Sequence, residues 1–548
     1  MNDGVMRRGR VLYIAFLVLS FSLLAFLLTY HNTGLTSALT NPIANRLTNS
    51  TFAAAPEIPP TSSLIGSTNC RYGVAADYDQ AAWLPTVGAG WYINFGTASS
   101  AIPDTEFVQF ITIHQNKNGT IYLPSFTVGP ALTESELGAV VDANPGHLWV
   151  VGNEIERVGQ GDIYPDIYAI AYHDVYHFIK QRDPSAQVAV AALVQVTPAR
   201  LAYLDLVWDA YLEAFGHPMP VDVWTFHLYI LPEVMADGVT PNGIANIPLG
   251  VNEPPNPPFS NWRRESGGSA AACAANDVYC FAEHTDMPTF KQQVVNMREW
   301  LKEHGQQEKP LLLTEFSVLY PYILDPGGSC FIQDEYGNCF TPQRVSTFMQ
   351  QTFNYLDGPE SRDPNLGYSA DGGRLVQQWL WYKMWVNSTG DVSNLLNSNY
   401  TSLPAGSINA LSPIGQQHRN LVTPQTLNVN LFPYQYTTTQ INNDTVDIHI
   451  QVMNNGNTEA TGSFNVSLYT NPNHTGLIGT ATLSGVEGCV RDNMVATIRW
   501  SGLATGSHTF YGRIDATNQI PETNEQDNFI NGFVLVNPDR LFLPQVVR

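Results

Sequence analysis

The segment HLWVVGNEIERVG, residues 147–159, carries an apolar run of strand-forming residues straight into Asn153 and Glu154. A buried strand whose last rung is an ionisable carboxylate is costly, because burial strips water from the charge. A second segment, KPLLLTEFSVLYP (309–321), repeats the arrangement with Glu315. Side chains alternate along a strand, which groups Val150, Gly152 and Glu154 on one face of the first and Leu311, Leu313 and Glu315 on one face of the second. Asn153 and Glu154 then reach a common site only through a bulge that interrupts the alternation.

On either side of these segments apolar strands recur. They read YGVAA (72–76), GWYIN (90–94), FVQFITI (107–113) and LWVVGN (148–153), then VAVAALV (188–194), VWTFHLYI (223–230), PLLLTEF (310–316) and RLVQQWLWY (374–382). Helical stretches separate many of them. One opens on a capping-box signal, Thr133 with Glu136, and MPTFKQQVVNMREWLKEHG (287–305) carries an apolar stripe that closes on Gly305. Eight strands with intervening helices over residues 69–422 predict an α/β fold, a (β/α)8 TIM barrel. An open doubly wound sheet is the alternative, since the helices after the first two strands look short. In a barrel the chemistry sits at the C-terminal strand ends, where Glu154 and Glu315 lie.

After residue 422 the period changes to strict alternation. TVDIHIQVMNNGN (445–457) sets Val446, Ile448, Ile450 and Val452 on one face, and FNVSLYT, MVATIRW and HTFYGRID behave alike. Short strands with Asn/Gly turns predict an all-β sandwich over 423–540, with a tail at 541–548. Its acidic residues Asp515, Glu522, Glu525 and Asp527 are read as a solvated turn in preference to calcium ligands.

At the N-terminus, Arg7, Arg8 and Arg10 precede VLYIAFLVLSFSLLAFLLTY (11–30), twenty residues without a charge. That length spans a bilayer and leaves the arginines in the cytoplasm. Residues 1–30 are therefore read as a basic tail and an uncleaved membrane anchor. A cleaved signal peptide competes, although no A-x-A-like site follows closely. Residues 31–68, rich in Ser, Thr, Asn, Pro and Ala, are expected to form a disordered stalk. On either reading the rest of the chain is outside, at the cell surface or secreted, where cysteines pair. Cys273 with Cys280 and Cys330 with Cys339 form local staples, while Cys70 and Cys489 either bridge the domains or stay free. No Cys/His spacing points to zinc. His173 and His177, in YHDVYHFIK (172–180), are placed on the solvent side of an outer helix, without a third ligand. No metal and no cofactor is implied.

With 48 Asp and Glu against 26 Lys and Arg, the formal net charge is −22. Such a balance argues against nucleic acid, whose affinity comes mainly from neutralised phosphates. It also disfavours anionic lipid headgroups, so any membrane contact falls to the N-terminal helix. A neutral glycan is compatible with it. The oligomeric state is left open.

Paired carboxylates suit glycosidic cleavage, in which one protonates the leaving oxygen and the other attacks or activates water. With Asn-Glu ending the fourth strand, Glu ending the seventh, FHLY in the sixth and two tryptophans in the eighth, residues 70–420 resemble glycoside hydrolase clan A, the retaining (β/α)8 glycosidases. The resemblance implies double displacement on a β-linked polysaccharide or oligosaccharide, with Glu154 as acid/base and Glu315 as nucleophile. It further implies that Asn153 bonds the sugar 2-hydroxyl and that His227 or Tyr229 supports the nucleophile. Trp379 or Trp381, the latter nearer the strand end, would floor the sugar site. Many clan members read Asn-Glu-Pro where this chain reads NEIE, which leaves the subfamily open and makes Glu156 a second candidate acid. VMNNGNTEATGSFNVSLYT and GRIDATNQIPETNEQDN make the sandwich similar to the CARDB-type immunoglobulin-like domains of bacterial surface proteins. A barrel that binds glycan without cutting it, and a purely structural surface protein, are the rival readings.

Overall fold

The computed structural model describes residues 64–234, 245–251, 284–319, 330, 338–386, 393–492 and 494–537. They belong to the second of two compact units, Ser62–Arg548. The predicted anchor, most of the stalk, the Cys273–Cys280 staple and the 541–548 tail lie outside the described residues. Among the described residues no helix is long and apolar enough to cross a membrane.

Strands β1 (Tyr72–Ala75), β2 (Trp91–Ile93), β3 (Glu106–Phe107), β4 (Gln109–Asn118), β5 (Ile121–Gly129), β6 (Leu148–Asn153), β7 (Gln187–Ala192), β8 (Trp224–His227), β9 (Leu311–Phe316) and β10 (Gln378–Trp381) build the first domain. The ladder runs from β8 through β9, β10, β1 and β2 to β3, and from β4 through β6 to β7. Val108 alone separates β3 from β4, and a parallel bridge joins Ala189 of β7 to Val223 at the foot of β8. The sheet therefore closes as a barrel, and the open-sheet alternative is set aside. Closure removes both sheet edges, with their unpaired backbone groups. Trp91, Ile93, Phe110, Val150, Leu312 and Leu380 fill the inside. Gly73 makes room there, since a Cβ on it would stand 2.4 Å from the Trp91 ring.

Around the strands lie α1 (Leu84–Val87), α2 (Ala139–Ala143), α3 (Pro165–Arg182), α4 (Pro198–Phe215), α5 (Met287–Glu303), α6 (Pro342–Asp357) and α7 (Pro413–Val422). Prolines in the first turn and side-chain caps at Asp286, Thr341 and Ser412 start the last three, satisfying amides that have no partner inside the helix. The expected capping box is not formed: the Thr133 side chain caps nothing, and Glu136 accepts from the Ala131 amide at 3.0 Å. His173 does not face open solvent either. Its ring stacks on Phe215 of α4 with 3.6 Å between centroids, and Nδ1 is 2.8 Å from the Tyr211 hydroxyl. Strand β5, which pairs antiparallel with β4, was not predicted; its mostly solvent-facing residues carry no burial period.

The second domain holds β11 (Leu431–Asn442), β12 (Thr445–Asn454), β13 (Phe464–Tyr469), β14 (Leu477–Leu483), β15 (Met494–Trp500), β16 (Gly506–Ile514) and β17 (Phe529–Val536). Sheets β11-β12-β15 and β14-β13-β16-β17 pack face to face, with Val446, Ile448, Ile450 and Val452 in the core between them. Leu64–Thr68, expected in the stalk, lie against this domain instead: the Gly66 amide donates to Glu459 O at 2.8 Å, and Ile65 packs on its core. The acidic turn is not solvated at Asp515, which is fully buried. It accepts from the Gln519 and Ile520 amides at 2.9 and 2.7 Å, and Glu522 accepts from the Leu431 amide at 2.6 Å. These carboxylates hold loops.

The sandwich sits under the N-terminal ends of the barrel strands, away from the mouth. Arg71, just before β1, grips Asp371 with two bonds of 2.6 and 2.8 Å and donates to Asn455 O at 3.0 Å. Arg491 reaches Glu106 at the start of β3 and Gln378 at the start of β10. Cys70 is bonded to Cys489 across this seam, which ends the free-thiol alternative, and Cys330 is bonded to Cys339. A cross-link between residues 419 positions apart restricts the unfolded chain and contributes about 2–4 kcal/mol. The double variant Cys70→Ser/Cys489→Ser is accordingly expected to melt at lower temperature, with sandwich and barrel transitions separating in calorimetry. An unchanged single transition would show that the bridge adds nothing.

Candidate active site

Four side chains converge at the C-terminal end of the barrel. Glu154 follows β6, His227 ends β8, Tyr229 stands two residues on, and Glu315 is the penultimate residue of β9. His227 is 1% exposed and stands between the carboxylates. Its Nδ1 is 3.2 Å from Glu154 Oε1, and its Nε2 is 3.5 Å from Glu315 Oε1. The Tyr229 hydroxyl donates to Glu315 Oε2 at 2.9 Å, and Arg157 Nη1 lies 3.3 Å from Glu154 Oε2.

Two departures from regular strand geometry bring them together. At the end of β6, Gly152 has φ 97° and Glu154 φ 40°, while the register with β7 is kept as far as Asn153. The chain is therefore turned by left-handed backbone and not by the expected bulge. For a glutamate that conformation costs on the order of 1–3 kcal/mol, and such strain persists where surrounding structure imposes it. On β9 the bulge does occur. Phe226 of β8 opposes Leu313 while His227 opposes Glu315, so Thr314 is an extra residue. Leu311, Leu313 and Phe316 pack outward on the helices and Leu312 points inward. Glu315 thus does not share the face of Leu311 and Leu313; the bulge turns it into the mouth.

Electrostatics separate the two carboxyls. Burial pushes Glu315 up to about 7, with the Glu154 charge adding to it and His227, Tyr229 and Lys383 opposing. Burial also acts to raise Glu154, but the His227 hydrogen bond and charge, with Arg157 and Arg200 behind, hold it below the usual carboxylate value. Burial lowers His227, and the two glutamates outweigh that and raise it. Among the described residues, Glu154, His227 and Glu315 are also the group close enough to share a cation, with ligand atoms within 4.8 Å of one another. The donor set does not favour one, since the two ring nitrogens face different carboxylates and a cation would have to break that bridge.

The remaining expected residues are placed differently. Asn153 is half-buried, and its Oδ1 is sealed from solvent with no hydrogen-bond partner. Trp379 and Trp381 are fully buried. Trp379 packs on Tyr72, and Trp381 on Phe316 and Phe353, between strands and helices, so neither has a ring face open to a sugar. Among the described residues, Tyr382 is an aromatic on the barrel's inner layer beyond Leu380, where it packs with Phe95. Alternation from the inward Leu380 would have found it. Glu156 is not a second acid at the mouth. It is fully buried, ion-paired with Arg200, and accepts from the Val194 amide at 2.8 Å. Neither Arg157 nor Lys383 was singled out in the sequence, because a loop cation gives no periodic signal.

Residues 429–531 match the CARDB family model. No curated protein matches the chain. Solved structures similar to it include a GH128 subgroup I endo-beta-1,3-glucanase from Amycolatopsis mediterranei, 14% identical over 64% of this chain and 99% of that one, at a TM-score of 0.35. A subgroup II endo-beta-1,3-glucanase from Pseudomonas viridiflava is 16% identical over 64% and 98%, at 0.36. The CARDB domain of a Pyrococcus furiosus protein is 20% identical over 20% of this chain and 96% of that domain, at 0.17. At such scores the likeness says nothing of residues or activity.

Proposed function

We propose that the protein is an extracytoplasmic retaining glycoside hydrolase that cleaves a β-linked glycan. The observation that carries this reading is one pair. Carboxylate oxygens of Glu154 and Glu315, from opposite halves of the barrel, lie within 4.8 Å of each other in its mouth. Retaining enzymes hold the two groups about 5–5.5 Å apart, and inverting enzymes leave room for a water at about 6.5–9.5 Å. In this reading Glu315, oriented by Tyr229, attacks the anomeric carbon while Glu154 protonates the departing oxygen. Water activated by Glu154 then releases the sugar. Tyr382 with Phe95 suits an apolar sugar face.

A second reading exchanges the roles, since Glu315 is the carboxyl held up and Glu154 the one held down. A mechanism-based 2-deoxy-2-fluoroglycoside distinguishes the two. A screen on β-glucans, mannans and xylans first finds the sugar, and peptide mass mapping then finds the labelled residue. Label on Glu315 and retention of anomeric configuration by NMR are expected. Label on Glu154 would exchange the roles, and binding without products on any glycan would favour the adhesive rival.

A further inference from the structure

We propose that His227 is a proton carrier shared by the two glutamates: protonated on both ring nitrogens in the resting site, it hands its Nδ1 proton to Glu154 when a glycan enters. The inference rests on the glycosidase reading and deepens it.

The geometry is a chain of five groups, Arg157, Glu154, His227, Glu315 and Tyr229, joined by separations of 3.3, 3.2, 3.5 and 2.9 Å. Each nitrogen of a neutral imidazole has one role: one donates, the other presents a lone pair. Here Nδ1 is hydrogen-bonded to Glu154 and Nε2 stands 3.5 Å from Glu315, at ion-pair distance, so a neutral ring would leave its lone pair towards one carboxylate. Both contacts become favourable when the ring is an imidazolium between two carboxylates, or when one carboxyl keeps a proton and donates it to the bare nitrogen. The cluster accordingly holds one mobile proton with two places to go. The titratable and charged groups around His227 are Glu154, Glu156, Glu315 and Tyr229, with Arg200 and Arg157 beyond Glu154 and Lys383 beyond Glu315. The charged groups against the ring are Glu154 and Glu315, with the cations beyond them, which favours the charged form.

Substrate supplies the drive. A sugar filling the mouth expels water and lowers the local dielectric, which penalises separated charges. Moving the proton from Nδ1 to Glu154 Oε1 turns three charged groups into one. The N–H bond breaks with its electron pair left on Nδ1, and an O–H bond forms. His227, now neutral, keeps its Nε2 proton directed at ionised Glu315. Glu154 then gives the proton to the glycosidic oxygen as that oxygen takes the electron pair of its bond to the anomeric carbon, and Glu315 forms the new bond. In the second half, water bonds to that carbon, its proton passes to Glu154, and Glu315 leaves with its pair. When the product leaves, Glu154 returns that proton to Nδ1 and the resting imidazolium is restored, so the count closes over one turnover. His227 acts through Glu154 and Glu315 and is a positioning residue.

The test is 15N NMR of the full chain with labelled histidine, the His227 signals being assigned by their loss in His227→Gln. Both ring nitrogens are expected in the imidazolium range at pH 7, with the titration midpoint falling by at least about one unit in Glu154→Gln and in Glu315→Gln. A neutral single tautomer at pH 7 in the unmodified chain, or a midpoint that neither substitution moves, overturns the proposal. Kinetically, His227→Gln is expected to lower kcat roughly 100-fold at little change in KM and to displace the alkaline limb of the pH profile. A purely structural role would lower the melting temperature and leave that limb in place. The NMR result needs no turnover, so an imidazolium found in a chain inactive on every glycan sinks the glycosidase reading alone, while turnover with a neutral His227 sinks this one alone.

Discussion

Glu315→Gln is expected to lower kcat by about four orders of magnitude or more while the fold stays intact. Loss of a nucleophile removes a covalent step, and removing one member of a group that acts as a unit costs about as much as removing all of it. The amide keeps the shape and can still meet Tyr229, whose hydroxyl now contacts Oε2. Glu315 is also buried beside a second carboxylate that raises its pKa, so replacing it relieves repulsion and the melting temperature should hold or rise. Initial rates on the preferred glycan and a thermal melt of the same preparation check both halves. A variant within tenfold of the parent rate would remove Glu315 from the chemistry.

Arg200→Met is expected to be the most damaging substitution for stability, at about 3–5 kcal/mol, because it leaves buried carboxylates without their cation. Arg200, Glu156 and Glu233 are all fully buried. The guanidinium bonds Glu233 Oε1 at 2.8 Å, pairs with Glu156, and donates to the carbonyls of Ala245 and Asn246 at 2.7 and 3.0 Å. It thereby ties the loop after β6 to the segments that follow β8. Glu156→Gln should be mild by comparison, since burial already raises that carboxyl and its Oε2 has no partner. Chemical denaturation of the two variants measures the contrast; equal losses would mean that Glu156 carries full charge in the native state.

Much of the architecture was legible because burial leaves a local trace. LWVVGN was read as a strand over 148–153, the span it occupies, and the 287–305 helix and the alternating core of the sandwich were equally plain. Strand β5 left no such trace. The errors at the site share one origin. Leu311, Leu313 and Glu315 look like one face until β8 and β10 impose a bulge at Thr314. Trp381 looks like the aromatic floor until the register shows that Leu380 and Tyr382 have the inward face. Cys70 and Cys489 could not be paired by spacing, because the seam that joins them exists only after both domains fold.

By itself, then, the amino-acid order determined which segments become strands and helices, their succession, and the placing of two carboxylates at strand ends. Those are properties of a few neighbouring residues, set by periods of 2 and 3.6. Tertiary structure alone decided that the sheet closes, which way Glu315 points, that His227 stands between it and Glu154, and that the sandwich lies under the barrel. Each of these depends on register between segments tens to hundreds of residues apart, and a slip of one residue reverses every side chain.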